Sequence, residues 1–323
     1  MKRAVFAVFL ALFAARGGAA FEGAPRPEKV SAHCYRLPTS KAGENAAAVV
    51  TEDGILMVNP PPKALLSTVL ESLQTITPQT VRWVVFTSPR SLSDSGAALL
   101  AERGALFVSS VRLHKMLQPS SGAPPGPSGA SGRSPEREGS ASKDDFGWIL
   151  FDRRMRLFPS SVEIRIFALS KSARTGEDIV LFLPEEKVLL VGDLFTAGRF
   201  PDIDTDSGGD AAGWIDGLQE VIGAVPLLKP AIPQVKPAAK TEQEKPLEES
   251  VRVVSASGNV SSLKDMKDLL EASQKLRSDV SRAARAGRTC DGFLASPASS
   301  PYRAFANLEA YARQLFRAVS GGY

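Results

Sequence analysis

Donors for a transition metal are scarce in this chain. Its 323 residues include two histidines, His33 and His114, and two cysteines, Cys34 and Cys290. A catalytic zinc ion generally takes three protein ligands, mostly imidazole or thiolate, so nearly all four side chains would have to converge to hold one. The pattern argues against that. His33 stands beside Cys34 on the first expected strand, and His114 on a short helix further on, so both read as ordinary core or surface histidines. Two cysteines make no disulfide framework. They pair only if folding brings their Cα atoms within about 7 Å, and otherwise behave as small buried hydrophobes; both readings stay open. A dense basic block is also missing. The net charge of +4 comes from 39 basic and 35 acidic residues spread along the chain, which gives no surface that tracks phosphates and excludes nucleic acid as the expected partner. There is no Gly-x-Ser-x-Gly elbow, no phosphate-binding glycine loop and no Cys-x-x-Cys.

What is present begins with a leader. Lys2 and Arg3 precede an apolar run from Ala4 to Ala15, followed by the small residues Gly17, Gly18, Ala19 and Ala20. This is the plan of a secretory signal peptide, with cleavage expected after Ala20 and a periplasmic or secreted destination. The run falls short of the ~20 residues a bilayer span needs, and no later segment qualifies, so stable membrane insertion of the mature chain is not expected.

The rest, residues 21–323, reads as one α/β domain. Short strands are expected at Val30 to Leu37, Ala46 to Thr51 and Ile55 to Val58, with a tight turn at Asp53-Gly54. Leu65, Leu66, Val69, Leu70 and Leu73 recur at helical spacing after Pro60-Pro61-Pro62, and Val81 to Phe86 follows as a buried strand. A helix from Gly96 to Arg103 and a strand from Ala105 to Val108 continue the alternation that marks layered α/β folds. Two segments, 118–145 and 226–249, are rich in Pro with Gly and Ser or Lys and Glu, and read as disordered insertions or mobile loops. Between them come strands at Trp148 to Phe151, Met155 to Phe158, Val162 to Leu169, Asp178 to Leu183 and Val188 to Val191, then a helix from Gly213 to Ala224. A strand from Val251 to Ser255 and helices near Leu263 to Arg285 and Tyr302 to Val319 complete the chain.

Several stretches are similar to the metallo-β-lactamase family. They are Gly43-Glu44-Asn45-Ala46 through Asp53-Gly54-Ile55-Leu56-Met57-Val58-Asn59; Val84-Val85-Phe86-Thr87; the helix Gly96 to Ala105; and Leu181-Phe182-Leu183-Pro184 through Val191-Gly192-Asp193-Leu194-Phe195. The resemblance implies a four-layer αββα sandwich with a metal site along one sheet edge. It also implies where the ligands would be, and there the chain departs. The window for the family's His-x-His-x-Asp-His is Ser88-Pro89-Arg90-Ser91-Leu92-Ser93. The next ligand histidine falls on Arg174, in Arg174-Thr175-Gly176-Glu177-Asp178, and the last on Ser257; only Asp193 is kept.

No catalytic residue, metal ligand or cofactor is therefore assigned. The expected function is that of a catalytically inactive member of the fold, acting in ligand or protein binding, with a vestigial cleft of Ser88, Arg90, Ser93, Arg174, Asp193 and Ser257. Guanidinium groups and hydroxyls suit a small anionic ligand such as a carboxylate or phosphate. An ion pair from Arg90 or Arg174 to Asp193 would close the cleft; the competing reading leaves Asp193 capping its turn and the arginines in solvent. The alternative function is a divergent hydrolase of esters, lactams or phosphoesters working without zinc. A third is a partner in a protein complex, contacted through the two insertions. Two further motifs lead nowhere. Asp202 to Asp210 lacks the glycine and glutamate of a helix-loop-helix calcium site, and Ser261-Ser262-Leu263-Lys264 reads as a helix start rather than a Ser-x-x-Lys nucleophile.

Overall fold

The computed structural model describes residues 26–39, 43–89, 96–117, 147–227 and 246–319. The leader and the insertion expected at 118–145 lie outside these residues. The loop expected at 226–249 does so only in part, because its flanks carry structure: a 3-10 turn at Val225–Leu227 and a short helix, α5, at Leu247–Ser250.

Two sheets form the centre. The first has seven strands in sequential order: β1 (Glu28–Lys29), β2 (Cys34–Pro38), β3 (Asn45–Thr51), β4 (Gly54–Val58), β5 (Val81–Val85), β6 (Leu106–Ser110) and β7 (Trp148–Phe151). Pairing is antiparallel through β4 and parallel from β4 to β7. The parallel half takes its crossovers from helices α1 (Lys63–Gln74) and α2 (Ala97–Glu102), and helix α3 (Val111–Leu117) follows β6 directly. Parallel strands require such crossovers, and the all-buried Gly-Ile-Leu-Met-Val of β4 is the composition of a strand covered on both faces.

The second sheet runs β13 (Ser261–Ser262), β12 (Arg252–Ser255), β11 (Val188–Gly192), β10 (Ile179–Leu183), β9 (Ile164–Ala168) and β8 (Arg154–Leu157). All neighbours are antiparallel except β11 and β12. Strand alternation sorts its side chains into two cores. Ile164, Ile166, Ile179, Leu181, Leu183, Val188 and Leu190 join a cluster with the first sheet and with Leu66, Val69, Leu73, Leu100 and Leu113 of its helices. Phe167, Val180, Phe182, Leu189 and Val191 face the other way. They pack on helices α4 (Ala211–Ala224), α6 (Leu263–Arg285) and α8 (Leu308–Val319) through Trp214, Leu218, Leu269, Leu276 and Leu315. The result is helix, sheet, sheet, helix: the four-layer αββα sandwich. Each of these side chains, fully removed from water, contributes about 1.5–3 kcal/mol relative to exposure.

Helix α6 starts on a reciprocal cap. The Ser262 side chain accepts from the Asp265 amide while Asp265 accepts from the Ser262 amide. Lys264 pairs with Asp268 at 2.5 Å, so this segment is a helix start.

Two expectations need correction, and the structure chooses between the two readings of the cysteines. His33 sits in a bend one residue before β2, since the amides of Val30 and Ser31 fold back on the Cys34 carbonyl. The final helix begins at Leu308, not Tyr302. Its approach holds α7 (Cys290–Leu294) and a 3-10 turn at Pro297–Tyr302, and the chain then turns at Asn307, φ 63°. Asn307 holds that turn by donating to the carbonyls of Phe200 and Pro201. Cys34 and Cys290 are both free thiols: Cys34 is buried between the sheets, and Cys290 packs against the helical core.

Candidate functional site

A cleft of about 630 Å³ opens where the parallel strands β11 and β12 end. Asp193 follows β11, Ala256 to Gly258 follow β12, and Glu44 lies across from them, just before β3. Backbone bonds stitch these walls together. The Asn45 amide donates to the Ala256 carbonyl at 2.7 Å, the Gly258 amide to Gly43 at 2.8 Å and the Ala256 amide to Gly192 at 2.8 Å. The cleft floor is thus anchored in the same hydrogen-bond network that joins the two sheets.

A second junction lies behind Asp193. Gly192 adopts φ +56°, and a Cβ there would lie 1.9 Å from Thr87 Oγ1, so only glycine fits. Thr87 is held by Asn59, whose Oδ1 accepts from the Thr87 amide at 3.0 Å and whose Nδ2 donates to Thr87 Oγ1 at 2.9 Å. Thr87 in turn accepts from the Ile179 amide at 2.7 Å. The Asn59 position, where the resemblance implies aspartate, therefore serves as a neutral clamp between β4, β5 and β10.

Arg174 forms another wall. Its loop, between β9 and β10, is clamped by the segment 204–210. The Asp204 amide donates to the Arg174 carbonyl at 2.9 Å, the Asp210 amide to Ala173 at 2.8 Å, and Gly209 comes so close that a Cβ would meet the Arg174 carbonyl oxygen at 2.2 Å. The Arg174 side chain is only 5% exposed, and its Nη1 is shut off from solvent without a hydrogen-bond partner among the described residues. Neither of the two readings drawn for Arg174 holds: no ion pair within 4 Å joins it to Asp193, and the side chain is buried rather than in solvent.

Four residues on is Asp178, also buried. It accepts from the Thr175 amide at 2.8 Å, and burial pushes its carboxyl up to about 6, against the opposing pull of that bond and of the Arg174 charge. The neighbouring Glu177 is raised by burial as well, and accepts from Ser110 at 2.7 Å.

Of the six residues singled out in the sequence, Arg174, Asp193 and Ser257 line the cleft together. Ser88 is buried after β5 and is not among the lining residues. Arg90 and Ser93 lie outside the described residues. Sequence reasoning missed Glu44, Thr196, Arg199 and Asp202. Thr196 and Ser257 bring their hydroxyl oxygens within 3.0 Å of each other. Trp214 supports this wall from behind, donating from Nε1 to the Leu194 carbonyl at 2.7 Å. Neither histidine is near. His33 bonds Glu186 at 2.6 Å, and His114 meets the Trp148 ring edge-on at 4.7 Å.

Two carboxylates of the acidic run 202–210 are spent on the backbone. Asp204 accepts from the Ser207 amide at 3.1 Å and Asp210 caps α4 through the Gly213 amide. Among the described residues no group of three or more His, Cys, Asp and Glu side chains is placed to hold a metal ion.

No family model and no curated protein sequence matches the chain. Solved structures do. The metallo-β-lactamase DIM-1 superposes with a TM-score of 0.54 at 12% identity, covering 78% of this chain and 98% of that one. A metallo-β-lactamase from Pontibacter korlensis gives 0.52 at 14%, covering 77% and 99%. A double mutant of the sec-alkyl sulfatase PisA1 gives 0.59 at 10%, covering 93% of this chain and 51% of that one.

The chain has the metallo-β-lactamase fold. A zinc centre of the kind that fold implies does not suit the residues in its cleft. Arg174 stands where the resemblance places an imidazole, and a guanidinium has no lone pair to offer and carries a charge that repels a cation. Ser257 stands at a second ligand position and Ser88 opens the window of the others, while segment 90–95 contains no histidine or cysteine. Asp193 alone is a poor anchor for zinc.

Proposed function

We propose that this metallo-β-lactamase-fold protein is an exported, non-catalytic binding protein whose cleft receives a small anion at Arg174, where relatives by fold would hold metal. The observation that carries the reading is a guanidinium, 5% exposed, in the wall of a large cleft with Nη1 lacking any hydrogen-bond partner among the described residues. A buried donor of this kind costs about 1–3 kcal/mol while unsatisfied, and more when charged. An oxyanion that draws the guanidinium outward recovers that cost. Thr196, Ser257 and Arg199 supply further donors along the same wall.

The test is a thermal-shift series on the full chain with acetate, inorganic phosphate and sulfate, alongside Arg174→Gln and the charge-preserving Arg174→Lys. Saturable stabilisation of the wild type that is lost in the glutamine variant and retained in part by lysine supports the reading. No shift with any anion ends it. The same preparations, offered ester, lactam and phosphoester substrates, distinguish the alternative: turnover that survives a chelator and disappears with Arg174→Gln would make the protein a zinc-independent hydrolase.

A further inference from the structure

The charge balance of the cleft points beyond a bare anion, to an occupant that deepens the anion reading and depends on it. Three carboxylates, Glu44, Asp193 and Asp202, and two guanidiniums, Arg174 and Arg199, line the cleft. An anion at Arg174 would share the cleft with these carboxylates, of which Glu44 and Asp202 already have interactions of their own. Two of these charges differ from the rest in what they face. Arg174 leaves its buried Nη1 without a partner, and the half-exposed Asp193 carboxylate lines the same cleft with no hydrogen bond or ion pair to a described residue, open to an incoming cation. They do not neutralise each other directly. Both instead sense the buried Asp178 electrostatically, Arg174 favouring its charge and Asp193 opposing it. One cleft thus presents a buried, unsatisfied cation and a half-exposed anion that do not pair with each other.

We propose that the occupant is a zwitterion: a compound with a carboxylate for Arg174 and a primary ammonium for Asp193, of the amino-acid or short-peptide class. A guanidinium donates from its planar fork to both oxygens of a carboxylate. An ammonium carries three donors, which Asp193 and the acidic wall can take up. The Thr196 and Ser257 hydroxyls lie alongside, able to donate to or accept from an amide between the two charged ends. Binding such a molecule satisfies both charges at once and adds no net charge to the cleft.

The experiment is calorimetric titration of the full chain with β-alanine, 4-aminobutyrate, 6-aminohexanoate and glycylglycine, each beside its N-acetylated counterpart, with acetate as the plain anion. The expected result is that at least one zwitterion binds about tenfold or more tightly than its acetylated form, a gap of about 1.4 kcal/mol. In Asp193→Asn that ratio falls to about one, because the ammonium loses its counter-charge. Equal affinity for zwitterion and acetylated form, with acetate still binding, overturns the zwitterion proposal and leaves the anion reading standing. Acetate and all the zwitterions failing to bind removes both. Should Asp193→Asn not fold, the acetylation ratio in wild type still decides.

Discussion

Replacing Asp178 with asparagine should remove a pH dependence of stability that the wild type carries between about pH 4 and 6. In the folded chain this carboxyl is pushed up to about 6 by burial, from a reference value of 3.8. Between those values the folded state keeps a proton that the unfolded state has lost, so stability falls as pH rises through the interval, and the loss is complete above the folded value. At about 1.4 kcal/mol for each tenfold change in proton affinity, the gap corresponds to ~3 kcal/mol as an upper figure. Asparagine retains an oxygen for the Thr175 amide but has no proton to release. Urea unfolding of wild type and Asp178→Asn at half-unit steps from pH 4.5 to 7.5 is the assay. The variant should gain on the wild type as pH rises, by a few kcal/mol across the range, with similar denaturant slopes. Curves that run parallel across the whole range would refute the assignment of a buried, proton-holding carboxyl. The cation beside it gives a companion result: Arg174→Gln removes a charge that favours ionisation, so the wild-type decline should extend to higher pH in that variant.

Gly192→Ala should cost about 2–4 kcal/mol in urea unfolding, since the new Cβ has neither a favourable φ nor space beside Thr87; a loss below half a kcal/mol would mean the junction can yield. Asn59→Ala should lower stability by about 1–3 kcal/mol by stripping the Thr87 amide and hydroxyl of their bonds to Asn59, measured by the same transition, and an unchanged midpoint would show that the clamp is dispensable. Cys34 is fully buried, with burial pushing its thiol up to about 12, while Cys290 is partly exposed. One equivalent of a thiol reagent should therefore react with native protein and a second only on unfolding; no reaction before reduction would reveal a disulfide, and two fast equivalents would contradict the burial of Cys34.

Much of the architecture was legible because local signals and long-range packing agree. Asp53-Gly54 between two apolar runs gives the β3–β4 hairpin, and Ser262 followed by a helical apolar period from Leu263 to Val280 gives α6. The segment before α8 was not legible. Its boundary is set by Asn307 reaching carbonyls more than a hundred residues earlier, and no local pattern encodes that contact. The site divides in the same way. Arg174, Asp193 and Ser257 could be found because the sequence resemblance implies ligand positions there. Asp178 stands only four residues after Arg174, but its burial arises from tertiary packing that hydropathy does not reveal. Thr196, Arg199 and Glu44 carried no signal, since they reach the cleft only through loops whose course depends on the β11–β12 junction. The clamp of residues 204–210 on the Arg174 backbone was likewise invisible in sequence, because it is made between backbone groups of two separate loops.

If, as proposed, Arg174 receives an anion where other proteins of this fold would hold a metal, anion binding is independent of zinc. Acetate titrated calorimetrically into chelator-treated full chain, before and after zinc is restored, tests this directly. If the guanidinium holds the anion, binding is saturable and of the same affinity in both conditions. Binding that emerges only once zinc returns would contradict it.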